Sequence, residues 1–139
     1  MLVAVASGKG GTGKTTLATN LAVAMAEAGQ EVAYLDCDVE EPDGHLFLQP
    51  RIDERSSVVM LVPTVDEDAC THCGKCAQVC QWGAIILMGE KVVAFPELCH
   101  GCGGCALICP ASAIREVPCR LGVVEDGWAD GIRFIQGRL

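Results

Sequence analysis

The chain has 139 residues, room for one ordinary domain or two small ones, and half of them are hydrophobic, which excludes a disordered chain. A formal net charge of −8 argues against nucleic acid and anionic membranes as partners, and no apolar run approaches a membrane span. Ten cysteines without a secretory signal (Met1–Ala6 is too short for one) point to the cytoplasm and to metal rather than cystine.

Leu2–Ala6 is a short apolar run that reads as a strand. It leads into Ser7-Gly8-Lys9-Gly10-Gly11-Thr12-Gly13-Lys14-Thr15-Thr16, in which Gly8 to Thr15 fit the phosphate-loop pattern G-x4-G-K-[ST]. Gly10, Gly11, Thr12 and Gly13 can turn successive N–H groups inward as an anion nest at a helix N-terminus. Lys14 then reaches the β- and γ-phosphates, and the Thr15 hydroxyl is placed for Mg²⁺. A helix is expected from Lys14 to Ala28, with Leu17, Ala18, Leu21, Ala22 and Met25 on one face and Gly29 as its stop. Glu31–Asp36 follows as a strand of a right-handed β-α-β unit, so Asp36 and Asp38 emerge at the end where open α/β sheets bind ligands. Cys37 between them reads as a buried structural residue.

Lys9-Gly10-Gly11-Thr12-Gly13-Lys14-Thr15 resembles the deviant Walker A loop of the MinD/ParA/nitrogenase-iron-protein class of ATPases, and Asp36-Cys37-Asp38 resembles its D-x-D. Asp38-Val39-Glu40-Glu41-Pro42-Asp43 followed by paired cysteine motifs is similar to MinD-superfamily ATPases that carry an inserted ferredoxin domain. The resemblance implies ATP and Mg²⁺ as ligands and catalytic roles for Lys9, Lys14 and Asp38. Lys9 would reach the nucleotide of a dimer partner, Thr16 would lie near the α-phosphate, and Asp38 would orient a water. Val39–Asp43 would act as a nucleotide-sensing switch. The plainer alternatives are a solvated loop cation at Lys9 and a turn carboxylate at Asp38.

Pro42–Ser57 reads as a short helical turn around His45–Leu48 and then a linker, before a strand from Val58 to Val62. Pro63 marks the start of an inserted domain. Within it Cys70, Cys73, Cys76 and Cys80 have the spacing C-x2-C-x2-C-x3-C, and Cys99, Cys102, Cys105 and Cys109 repeat it. The offset is 29 residues throughout (99 − 70), and it also pairs Asp68 with Glu97 and Ile85 with Ile114, an internal duplication. The run belongs to cubane iron–sulfur chemistry, in which the fourth cysteine ligates the other cluster of a two-cluster ferredoxin. One 4Fe–4S cluster is therefore assigned to Cys70, Cys73, Cys76 and Cys109, and a second to Cys99, Cys102, Cys105 and Cys80. Zinc, which usually splits two cysteine pairs by a long spacer, and disulfides are the alternatives. Residues 65–117 resemble bacterial two-cluster ferredoxins, with Gln81 where a proline usually ends the first comb.

Ile85–Met88 and Lys91–Phe95 read as a small hairpin around Gly89-Glu90. His72 and His100 read as solvent-facing, and Trp82 as packing beside a cluster. After Pro118, Leu121–Glu125 and Ile132–Gln136 suggest a second hairpin, with turn signals at Asp126-Gly127 and Asp130-Gly131; Cys119 is a free thiol.

The expected fold class is α/β: a partial P-loop β-α-β unit, an inserted α+β two-cluster ferredoxin-like domain, and a C-terminal β-hairpin. The domains would be 1–62, 63–117 and 118–139, the last returning to an incomplete NTPase domain. No apolar strand ending in a magnesium-binding aspartate appears downstream, nor the aspartate and paired prolines that the resemblance implies, so the chain reads as the N-terminal half of a larger ATPase or one part of a split one, and hydrolysis by it alone is left open. The expected function is nucleotide-linked electron transfer with a redox partner protein, in a homodimer or with a complementing C-terminal half. The alternatives are a simple ferredoxin-type carrier with an inert P-loop remnant, and a cluster assembly or carrier protein.

Overall fold

The computed structural model describes residues 1–139. In chain order the elements are α1 (Lys14–Glu27), β1 (Val32–Asp36), α2 (Gly44–Leu48), β2 (Arg51–Val65), α3 (Lys75–Val79), β3 (Ile85–Met88), β4 (Lys91–Ala94), a 3-10 turn (Pro96–Leu98), α4 (Gly104–Ile108), β5 (Ile114–Ala129) and β6 (Ile132–Arg138). They form a mixed α/β architecture with a four-stranded mixed sheet, order β1-β6-β5-β2, and a two-stranded sheet of β3 and β4. The chain divides into two compact units, Met1–Val58 with Gly122–Leu139, and Val59–Leu121. No helix is long and apolar enough to cross a membrane.

In the first unit, α1 is rich in alanine and ends in a Schellman motif. The N–H of Gly29, at φ 77°, donates to the Ala26 carbonyl, and the N–H of Gln30 donates to Met25. Its covered face runs through Ala18, Thr19, Ala22 and Ala26, whereas Leu17 and Leu21, placed on that face by the periodicity, are exposed. Small side chains are what let the helix lie close on the sheet, over Tyr34, Ile132 and Phe134. Burying Phe134 and Ile132 completely contributes roughly 1.5–3 kcal/mol each.

Three expectations fail here. Leu2–Ala6 forms no strand and is largely exposed; β1 instead takes β6 as its parallel neighbour, with Tyr34 opposite Phe134. Strand conformation is stabilised by ladder bonds and a covered face, and the β1–β6 pairing supplies both through stacked Tyr34 and Phe134 rings 5.6 Å apart. The stretch read as a linker after Pro50 is the first half of β2, and Pro63 lies inside that strand. β2 is an edge strand, where a missing N–H is tolerated. Asp126-Gly127 is not a turn either, since both residues pair in β5 with Ile135 and Phe134. Gly127 is there because the Arg51 carbonyl would collide with any Cβ. The real turn is Asp130-Gly131, with φ 45° and 84°, a two-residue connection matched to strand twist.

The second unit is built twice from one pattern. α3 and α4 each begin on a left-handed glycine, Gly74 at φ 71° and Gly103 at φ 69°. The halves clasp reciprocally: the N–H of Asp66 donates to Ala113, and 29 residues on (95 − 66) the N–H of Phe95 donates to Ala84, both across 2.7 Å. Between them lies a core of Cys76, Ile85, Val92 and Ile114, and β3 pairs with β4 from Ile85 opposite Ala94 to Met88 opposite Lys91.

Candidate functional site

The glycines of the second unit bend the chain so that sulfurs face inward in two sets. Cys70, Cys73, Cys76 and Cys109 line one open cavity. Cys80, Cys99, Cys102 and Cys105 line another. The last cysteine of each comb thus stands with the first three of the other. α3 and α4 cause this, because each carries its third cysteine in its first turn and releases its fourth at its C-terminus, pointing away.

Backbone donors reach the sulfurs. The N–H of Gly101 donates to Cys99 Sγ and that of Ala113 to Cys109 Sγ, each across 3.4 Å. The N–H of Lys75 holds the Cys73 thiol below its usual range, the largest influence on it. Burial pushes the equivalent Cys76 and Cys105 thiols up. For Cys80 burial also pushes upward, but N–H groups of Trp82, Ala84, Ile85 and Gly83 together bring it below the usual value. All ten cysteines are free thiols, and no three His, Cys, Asp or Glu side chains converge tightly enough to hold a single metal ion.

In the first unit Ser7–Gly13 is a chain of turns and bends before α1. The Ser7 hydroxyl donates to the Lys9 carbonyl across 2.8 Å, and the Thr12 hydroxyl donates to Ser7 Oγ across 2.7 Å. Gly11 and Gly13 have φ of 69° and 83°, and a Cβ on Gly8, Gly10, Gly11 or Gly13 would meet nothing within 4 Å. α1 is capped by Gly13, which offers no side-chain hydrogen bond and so leaves the first N–H groups and the positive end of the dipole open to an anion. Lys14 and Thr15 are half-buried in the first turn; Lys9, Gly10 and Thr16 are exposed.

Asp36 and Asp38 separate in role. Asp36 is buried at the end of β1 and accepts the N–H groups of Asp38 and Gly44, while Asp38 is exposed. Cys37 is exposed rather than buried, because strand alternation turns Tyr34 and Asp36 inward and Leu35 and Cys37 outward. Opposite Asp36 in the sheet stands Gln136, and opposite Gln136 stands Glu125, all three buried. Gln136 Nε2 donates to Glu125, whose other oxygen pairs with Arg55 Nε at 2.8 Å. This row escaped sequence reasoning because its members sit on three strands whose pairing no local pattern encodes. His100 is exposed but not solitary, since its ring stacks on Trp82 with centroids 4.5 Å apart.

Comparison with known proteins adds a family and relatives. The profile of the CobQ/CobB/MinD/ParA nucleotide binding domain matches residues 3–131. An uncharacterized protein of Methanocaldococcus jannaschii is 39% identical over 85 residues, covering 61% of this chain and 30% of that one. A second from the same organism is 36% identical over 106 residues, 71% of this chain and 36% of that one. An iron-sulfur cluster carrier protein of Synechocystis is 47% identical over 47 residues, 34% of this chain and 13% of that one. The chain thus spans about a third or less of the length of these relatives.

Proposed function

Because the chain belongs to the CobQ/CobB/MinD/ParA nucleotide binding domain family, we propose that it couples a nucleotide site to an electron-transferring pair of iron–sulfur clusters. Cys70, Cys73, Cys76 and Cys109 hold one 4Fe–4S cluster, and Cys99, Cys102, Cys105 and Cys80 hold the second. The observation that carries this is the exchange of the fourth cysteine between combs, which gives each cavity four thiols. Their C-x2-C-x2-C-x3-C spacing, with the fourth thiol drawn from the other comb, fits a polynuclear group, whereas zinc usually takes two cysteine pairs split by a long spacer. The clusters supply one-electron chemistry; the protein supplies sulfur ligands, N–H groups aimed at them, and apolar walls from Val92 and Ile114.

Nucleotide binding falls to the loop from Gly8 to Thr16. Its open glycines and the first N–H groups of α1 receive phosphate, Lys14 contributes charge, and Thr15 contributes a hydroxyl for Mg²⁺. Lys9 and Asp38 take the roles assigned by resemblance, Lys9 across a dimer and Asp38 toward a water. The nucleotide state is read through Val39–Asp43, which hangs from Asp36 at both ends and meets the residue after β6, where the N–H of Leu139 donates to the Val39 carbonyl. A redox partner protein exchanges electrons with the clusters, and a second copy or a further segment completes the ATPase.

The test is anaerobic loading followed by iron, sulfide and zinc analysis. About eight irons per chain supports the assignment; stoichiometric zinc or far fewer irons overturns it. A second reading, delivery of clusters to other proteins, is favoured by the likeness to the carrier protein of Synechocystis. Rapid iron transfer to an apo-acceptor would select it.

A further inference from the structure

The 29-residue repeat lets the two cysteine cavities be compared residue by residue, and their charges differ. Lys75 is the one charged side chain lining the first cavity; the equivalent position at the second is Gly104 (104 − 75). Glu116 is the one charged side chain lining the second; its equivalent at the first is Leu87. The replacement is positional as well as sequential. A Cβ on Gly74 would lie 3.3 Å from Leu87 Cδ2, and one on the matching Gly103 would lie 3.4 Å from Glu116 Oε1. The second cavity alone has an aromatic cover, Trp82 stacked on His100, where the first has Ala111 and Thr71 at the equivalent positions. One backbone donor is matched between the sites, Gly101 serving Cys99 at one and Ala113 serving Cys109 at the other, so the contrast in charge is carried by side chains.

We propose that the two sites differ in reduction potential, the site beside Lys75 accepting an electron first and the site beside Glu116 last. This rests on the cluster assignment above. Each reduction takes one electron from a one-electron donor, which is oxidised by the same amount, and breaks no bond. It adds one negative charge to the site. Lys75 attracts that charge and Glu116 repels it, while the indole and imidazole displace water that would solvate it. An electron delivered at the Glu116 site therefore runs downhill to the Lys75 site.

The experiment is a dithionite titration of the anaerobically loaded chain, followed by electron paramagnetic resonance with iron counted in each sample. Wild type should show two separate steps. Glu116→Gln should move the lower step upward, raising the reduced-to-oxidised ratio at fixed potential roughly tenfold, the order expected for removing one nearby unit charge in an effective dielectric near 20. Lys75→Gln should move the upper step downward, and this variant carries the test if Glu116→Gln loads poorly. Coincident steps in wild type, or unmoved steps in variants with full iron, overturn the proposal and leave the cluster assignment standing. A chain that takes up no iron overturns both.

Discussion

The buried carboxylate of Asp36 accepts the N–H of Gly44 across 2.8 Å, and its other oxygen accepts the N–H of Asp38 across 3.1 Å. One side chain therefore closes the loop from Asp38 to Asp43 onto the end of β1. Asp36→Asn keeps the shape but sets an amide N–H against one of those donors. The expected cost is about 1–3 kcal/mol, read as a lower urea midpoint at unchanged slope. An unchanged midpoint would show that the loop holds without this clasp.

Gly44 is tied to the same clasp from the other side. A Cβ there would lie 2.7 Å from the Tyr34 ring and hydroxyl and 2.8 Å from Asp36 Oδ2. Gly44→Ala should destabilise the first unit by about 1–3 kcal/mol through overpacking, checked by thermal unfolding. Gly8→Ala, whose Cβ meets open space, serves as the neutral comparison.

Tyr34 supplies a pH signature. Burial, reinforced by Asp36, Asp43 and Cys37, pushes its phenol up to about 12 from 10. The folded state thus favours the neutral phenol. That contribution to stability is complete below pH 10 and is lost as pH rises from 10 through about 12. Since the chain has one tyrosine, phenolate absorbance reports this residue alone. Tyr34→Phe should flatten the stability loss over that window.

Cys109 and Cys119 separate a ligand from a bystander. Cys109→Ser should remove about half of the iron, from the cavity it shares with Cys70, Cys73 and Cys76. Cys119→Ser and Cys37→Ser, outside both cavities, should leave the iron count unchanged.

Nucleotide binding is tested at Lys14. Lys14→Ala removes a charged hydrogen-bond donor worth about 1.5–3 kcal/mol, so equilibrium dialysis with Mg-ATP should show roughly ten- to hundredfold weaker binding. Lys9→Ala should weaken binding only at protein concentrations where two copies associate.

What the sequence determined was everything that depends on near neighbours along the chain. The cysteine spacing, the left-handed glycines before α3 and α4, the span of α1 and the hairpin of β3 and β4 all follow from residues a few positions apart. Turn geometry and helix capping act over that range, so their signals are written locally.

Tertiary structure alone decided which strand lies beside which, and everything that depends on that choice. Leu2–Ala6 stayed exposed while β1 paired with β6; Asp126-Gly127 became strand because β2 crowds Gly127; Asp36, Gln136 and Glu125 came to share one buried row. Pairing is settled by competition between whole faces, in which the Tyr34–Phe134 stack and the fit of α1 over it outweigh the apolarity of any single run.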